Sequence, residues 1–235
     1  MESFMKLRSY IMSQHRMTQD NIYQGFVTIS RQAGAGGGTV GEKLAVYLNA
    51  KLPGRCPWTV FDKALVDTIV KENELPDRIL PYLKEAKTPM ILDMVEDLME
   101  LCPSQATLVK RANKTILRLA KSGRAILVGR GAPVLTKEIN GGVHVRLIGS
   151  FKKRKEHIME YFKMSAKEAV KFIESEDRGR AQYLKAYFNR NIDDPFLYDV
   201  VINTDSVVYG DAVPLIGDMV IRKIRCEEVQ MGMRK

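Results

Sequence analysis

Residues 26–43, Phe-Val-Thr-Ile-Ser-Arg-Gln-Ala-Gly-Ala-Gly-Gly-Gly-Thr-Val-Gly-Glu-Lys, constrain the fold more than any other stretch. Phe26 to Ser30 is a short apolar, β-branched run of the kind that forms a buried strand. Four glycines follow within five residues, at positions 34, 36, 37 and 38. From Thr39 to Leu48 the spacing turns helical, with Val40, Leu44 and Leu48 on one stripe. Strand, glycine turn and helix together aim free backbone N–H groups and a helix N-terminus at an anion, usually a phosphate. Glycine suits such a turn because it tolerates positive φ and lets the backbone touch a ligand. A glycine-rich turn that holds nothing is the competing reading, and so many glycines weaken a fold that does not use them.

The turn is incomplete against both of its usual patterns. In G-x-x-x-x-G-K-[ST] the first glycine position is Arg31, the second is Gly36, and the lysine position is Gly37. The cradle survives; its cation does not. In G-x-G-x-x-G the first two positions are Gly34 and Gly36, but the third is Thr39. The turn therefore implies a phosphate and leaves the chemistry open.

A chain of 235 residues suits one domain with a small insertion. No run of the sequence is apolar enough to span a membrane, and residues 1–24 lack the apolar centre of a signal peptide. Three cysteines far apart (Cys56, Cys102, Cys226) do not suggest a disulfide framework or a thiolate metal site. Nor do His15, His144 and His157 have metal-ligand spacing, so zinc is not expected and a reducing cytoplasm is the simplest compartment. The net charge of +9 favours anionic partners. Residues 151–190 carry eleven Lys or Arg against six Asp or Glu, which a polyphosphate site explains more simply than nucleic acid does.

Read in order, residues 1–25 are an extension of poor periodicity. Residues 58–61 form a second strand ending at Asp62, and residues 63–122 read as an all-helical insertion. Strands follow at 124–128, 143–148 and 199–203, with helices at 151–163, from Ser165 to about Arg190, and at 211–225. Residues 226–235 form a tail. Ser165 with Glu168 three residues on is a capping-box start. Strands separated by helices predict an α/β fold, a parallel sheet with helices on both faces. Its active rim lies at the carboxyl ends of the strands, here Ser30-Arg31, Asp62, Gly129-Arg130, Gly149-Ser150 and Asn203-Thr204.

Several residues at that rim are equipped for chemistry. Asp62 either caps the helix expected after it or serves the site. Arg130 lies between two glycines at a strand end, and a guanidinium fork fits phosphate better than an ammonium does. In Asp177-Arg178-Gly179-Arg180, a glycine inside a helical pattern costs about 1 kcal/mol relative to Ala. The segment is either a solvated basic face or a mobile arm carrying Arg178 and Arg180 over bound phosphates.

Taken together, the 29–45 turn, Phe61-Asp-Lys-Ala-Leu-Val66, Ile126-Leu-Val-Gly-Arg-Gly-Ala-Pro-Val-Leu135, and the block from Glu174 to Thr204 resemble the cytidylate kinase-like P-loop kinases. The resemblance covers roughly residues 26–224. It implies a P-loop NTPase-type sheet with a helical insertion that binds the acceptor nucleotide and a helical lid at 165–190. It implies ATP as donor, Mg2+ as cofactor and a nucleoside monophosphate, CMP-like or dCMP-like, as acceptor. Gly34, Ala35, Gly36, Gly37, Gly38 and Thr39 would hold the donor phosphates, and Asn203 and Thr204 would lie by the donor base. Asp62 and Arg130 would contact the acceptor, Arg178 and Arg180 would belong to the lid, and the Thr39 hydroxyl would bind the metal. Cytidylate kinases proper carry Lys at the position of Gly37 and an acidic residue near Val128 or Gly131, whereas the kinase-like branch commonly lacks the Lys. Phosphoryl transfer depends on cations that neutralise the moving group, one well-placed Arg being worth about 10³–10⁵ in rate. Arg31, Arg130, Arg178 or Arg180 is accordingly expected to supply the missing charge. Two other readings remain: a non-catalytic nucleotide binder that keeps the cradle, and a dinucleotide-binding oxidoreductase with Asp62 on a ribose.

Overall fold

The computed structural model describes residues 24–54, 56–62, 64, 66, 105–129 and 131–232. Arg130, most of the extension at 1–25, residues 67–104 of the expected insertion and the end of the tail lie outside the described residues.

Five short apolar runs become five strands, β1 Phe26–Arg31, β2 Thr59–Phe61, β3 Ala125–Val128, β4 Gly142–Ile148 and β5 Val200–Asn203. They form one sheet in the order β2-β3-β1-β4-β5, and every described pair is parallel. β1 is central: Val27 stands in register with Ile126 on one side and Val143 on the other. Its burial on both faces explains why it reads as a continuous apolar run. The helices are α1 Gly37–Lys51, α2 Gln105–Ser122, the single turn α3 Ala132–Leu135, α4 Phe151–Phe162, α5 Ala166–Phe188 and α6 Tyr209–Gly232.

Strand alternation sends successive side chains to opposite faces. Val27 and Ile29 join Ile126, Val128, Val145 and Leu147 against Val40, Leu44 and Leu48 of α1 and Ile216 and Val220 of α6. Phe26, Ala125 and Leu127 join Ile116 and Leu119 of α2 on the other face. α1 lies close to the sheet because Gly41 has no side chain; a Cβ there would meet Val60 and Val128 at 3.4 Å. The last helix is longer than its periodicity predicts. It starts at Tyr209 and runs to Gly232, with Pro214 within it.

α5 opens with the expected capping box: Glu168 N donates to the Ser165 side chain, and the Glu168 carboxylate accepts from Ser165 N at 2.9 Å. The helix then continues unbroken through Gly179, where an added Cβ would meet nothing within 4 Å. The Asp177–Arg180 segment is thus part of a 23-residue helix rather than a separate arm.

Candidate active site

The glycine turn leaves β1 and enters α1 with Gly34 at φ +81° and Gly36 at φ +79°, where an L side chain would be strained. Gly36 caps α1 without any side-chain bond. Among the described residues, the main-chain N–H groups of Gly34, Gly36, Gly37, Gly38 and Thr39 have no protein acceptor. Ala35 N is spent on Gln32 O at 3.2 Å, and Ala33 N on Asp177 Oδ1 at 2.7 Å. The Thr39 side chain stands half-buried on the first turn of α1.

Two carbonyls of the turn are tied down from behind, and the one of Ala33 shares its peptide plane with the free Gly34 N–H. Arg154, nearly buried on α4, donates to Ala33 O at 2.9 Å and Gly149 O at 3.0 Å and pairs with Asp177 Oδ2 at 2.7 Å. His157, one turn on, bonds Gly34 O through Nδ1 at 2.7 Å. A peptide plane whose C=O is held on one side presents its neighbour's N–H on the other. Gly34 is also required sterically, since a Cβ would stand 2.5 Å from Arg154 O. Tyr209, at the start of α6, lays its hydroxyl against Gly36 and packs on the His157 ring at 6.0 Å.

Arg31 closes β1 and turns toward the turn. Its stem passes so near Gly37 that a Cβ there would meet Arg31 Cγ at 2.8 Å, and its Nη1 lies directly over Gly129. The guanidinium has no hydrogen-bond or ion-pair partner among the described residues. Burial lowers its pKa to about 10, helped by the neighbouring charge of Arg180 and opposed by Glu176, Asp62 and Asp177. A half-buried guanidinium without a partner among the described residues, beside free amides, suits an anion.

A cavity of about 230 Å³ opens at this end of the sheet. Ser30, Arg31 and Gly129 form its floor, and Glu176, Gly179, Arg180 and Tyr183 of α5 form one wall. Val134, Leu184 and Ile192 give it an apolar side, with Tyr198 beside them. Arg180 donates to Arg31 O at 3.2 Å and pairs with Glu176 at 2.7 Å and more loosely with Asp177 at 3.8 Å. Behind the floor, the buried Arg146 donates to Ser30 Oγ at 2.9 Å, pairs with Asp193 at 2.7 Å and lies 5.7 Å over the Tyr198 ring.

The structure brings Arg31 and Arg180 together with the turn, but leaves Arg178 exposed on the far side of α5 and outside the cavity wall. Two positions apart on a helix are 200° apart around its axis, so one of the pair had to face away. Asp62 ends β2 at the same rim, exposed, its charge felt at Arg31. Asn203 and Thr204 shape the loop after β5: Asn203 Oδ1 accepts from Asp205 N at 3.0 Å, and Thr204 Oγ1 donates to Ile148 O at 3.0 Å. Sequence reasoning missed Arg154, His157, Tyr209, Glu176 and the Arg146 group. A charged residue within the apolar β4 run and the i,i+4 spacing of Glu176 and Arg180 were the available signals.

An open main-chain cradle between the central strand and its helix, opposite paired arginines at the carboxyl rim of a parallel sheet, defines a P-loop-type protein with a phosphotransferase fold. More closely, the chain belongs to the cytidylate kinase-like family, whose sequence profile matches residues 26–206. Membership supports a function of the nucleotide kinase type. A crystal structure of an uncharacterized protein from Eubacterium ventriosum ATCC 27560 has the same fold: TM-score 0.61 at 20% identity, covering 86% of this chain and 99% of that one. A shikimate kinase from Bacteroides thetaiotaomicron is similar at 17% identity and TM-score 0.43, over 87% of this chain and 98% of that one. A uronate isomerase from Corynebacterium glutamicum is 29% identical over 113 residues, or 48% of this chain. The chain spans about a fifth of that relative's length, 22%. No helix among the described residues is long and apolar enough to cross a membrane.

Proposed function

We propose that the protein transfers the γ-phosphoryl group of ATP to a nucleoside monophosphate, CMP-like or dCMP-like, with Arg31 acting where a complete phosphate loop has lysine. The observation that carries this reading is the Arg31 guanidinium, without a partner among the described residues and laid across Gly37 and Gly129 next to five amides unbonded among those residues. Those amides would hold the donor phosphates, and the cavity beside them would hold the acceptor. In the transfer, the bond from the γ-phosphorus to its bridging oxygen breaks and an acceptor phosphate oxygen takes its place, so ADP leaves. Arg31 and Arg180 would neutralise the oxygens of the moving group, Arg180 exchanging Glu176 for the ligand. The half-buried Thr39 hydroxyl would hold Mg2+, which supplies further charge neutralisation when bound. Asp62 and Arg130 would contact the acceptor, as the family correspondence implies.

One observation favours a second reading, a nucleotide binder without catalysis. Ala33 N is already bonded to Asp177, and Tyr209 rests on Gly36, so part of the turn is occupied by the protein itself. Incubation with ATP, Mg2+ and a panel of nucleoside monophosphates separates the two. Acceptor-dependent ADP formation supports the kinase; ATP binding with no ADP from any acceptor supports the binder and overturns the first reading.

A further inference from the structure

A second cavity, of about 250 Å³, opens at the opposite end of the sheet, where β4 and β5 begin. Its wall includes Lys137, Asn140, His144, Phe196, Lys223 and Glu227, and Tyr198 belongs to this wall and to that of the front cavity. The phosphate turn takes no part in it.

His144 is 8% exposed and its ring packs edge-on to Phe26 at 6.0 Å. Its Nδ1 meets Thr28 Oγ1 at 2.8 Å, and Thr28 is fully buried. The Thr28 hydroxyl proton has no other acceptor among the described residues, so it goes to Nδ1. The ring proton therefore sits on Nε2, which has no protein partner among the described residues. Burial lowers the His144 pKa, with Asp199 opposing and Lys223 and Lys137 adding to the effect, so the ring is a neutral N–H donor at neutral pH.

The Asp199 carboxylate is already engaged: it accepts from His144 N at 2.7 Å and pairs with Lys223 at 3.6 Å. Lys223 also donates to Gly142 O at 2.5 Å and has a third N–H to give. Lys137 is exposed with no partner among the described residues. An imidazole N–H and two ammonium groups thus converge on one space. Beside them Phe196, 86% exposed, offers an uncovered ring face. Glu227 and the Asp199 carboxylate, which also lines the cavity, supply the opposing charge.

We propose that this rear cavity is a second ligand site, which takes a small ring compound bearing a carboxylate or phosphate. The oxyanion accepts from His144 Nε2, Lys137 and Lys223, and the ring lies against Phe196. The site is independent of the phosphoryl-transfer reading, because no group of the glycine turn contributes to it.

The test titrates the full chain with benzoate and, separately, with phenyl phosphate, following the His144 side-chain nitrogens by NMR. The expected result is a saturable perturbation at His144 with at least one probe, and the tighter probe identifies the anion. Lys137→Gln and Phe196→Ala, both exposed positions, should each weaken binding by about tenfold. Glu227→Gln removes a like charge and should tighten it. No saturable change at His144 with either probe, a response confined to the glycine turn, or equal affinity in all three variants would overturn the proposal.

Discussion

Restoring the missing lysine should harm the protein. A Cβ at position 37 would stand 2.8 Å from Arg31 Cγ and 3.1 Å from its Cδ, against the 3.5–4.0 Å at which carbon atoms attract. Relieving that contact means moving the Arg31 side chain, whose guanidinium lies on Gly129, from its place beside the turn. Overpacking of this kind costs about 1–3 kcal/mol. A second cation within about 4 Å of Arg31 adds roughly 1–4 kcal/mol of repulsion, depending on solvent access. In a chain of this length each kcal/mol lowers the melting temperature by about 2–4 °C. Gly37→Lys should therefore melt several degrees lower and turn over more slowly than the parent. Arg31→Ala alone should lose about 10³-fold in rate. In Gly37→Lys with Arg31→Ala the lysine has both the room and the charge vacancy. That double variant should regain stability and exceed each single variant in turnover, with a coupling energy of about 1–3 kcal/mol. Thermal melts and acceptor-dependent ADP release measure both quantities. A Gly37→Lys protein as stable as the parent and faster, with additive effects in the double variant, would refute the claim that the two cations compete for one place.

Three further outcomes follow from the same geometry. Arg180→Ala should reduce turnover by about 10³–10⁵, whereas the exposed Arg178→Ala should change it less than about threefold; equal losses would mean that α5 turns its other face to the ligand. Ser165→Ala removes an exposed capping box and should cost about 1 kcal/mol, a drop of roughly 2–4 °C in melting temperature, with turnover unchanged. Arg31, with its pKa lowered to about 10 by burial, remains charged at neutral pH. A cationic group whose folded pKa is depressed opposes folding while it is charged, so that penalty is present at neutral pH and lifts as pH rises through about 10. Donor-phosphate affinity should accordingly hold flat from neutral pH to about 9 and fall through about 10. An Arg31→Ala variant with the same fall would assign the step to another group.

The division between what was legible and what was not follows the range of the forces involved. Strand β1, the glycine turn and α1 can be read from residues 26–48 because apolar periodicity, positive φ and helix entry are local properties of the chain. The capping box at Ser165 and Glu168 is equally local. The placement of β1 between β3 and β4 depends on pairings across a hundred or so residues, which no local pattern records. In the same way, Asp177-Arg178-Gly179-Arg180 reads as a cluster of charge in the sequence. Only the docking of α5 decides that Asp177 binds Ala33 N, that Arg180 enters the cavity and that Arg178 does not. The loss of lysine at position 37 was visible in the sequence. That the Arg31 stem occupies its place is a fact of packing, because it depends on atoms of three separate segments meeting within van der Waals distance.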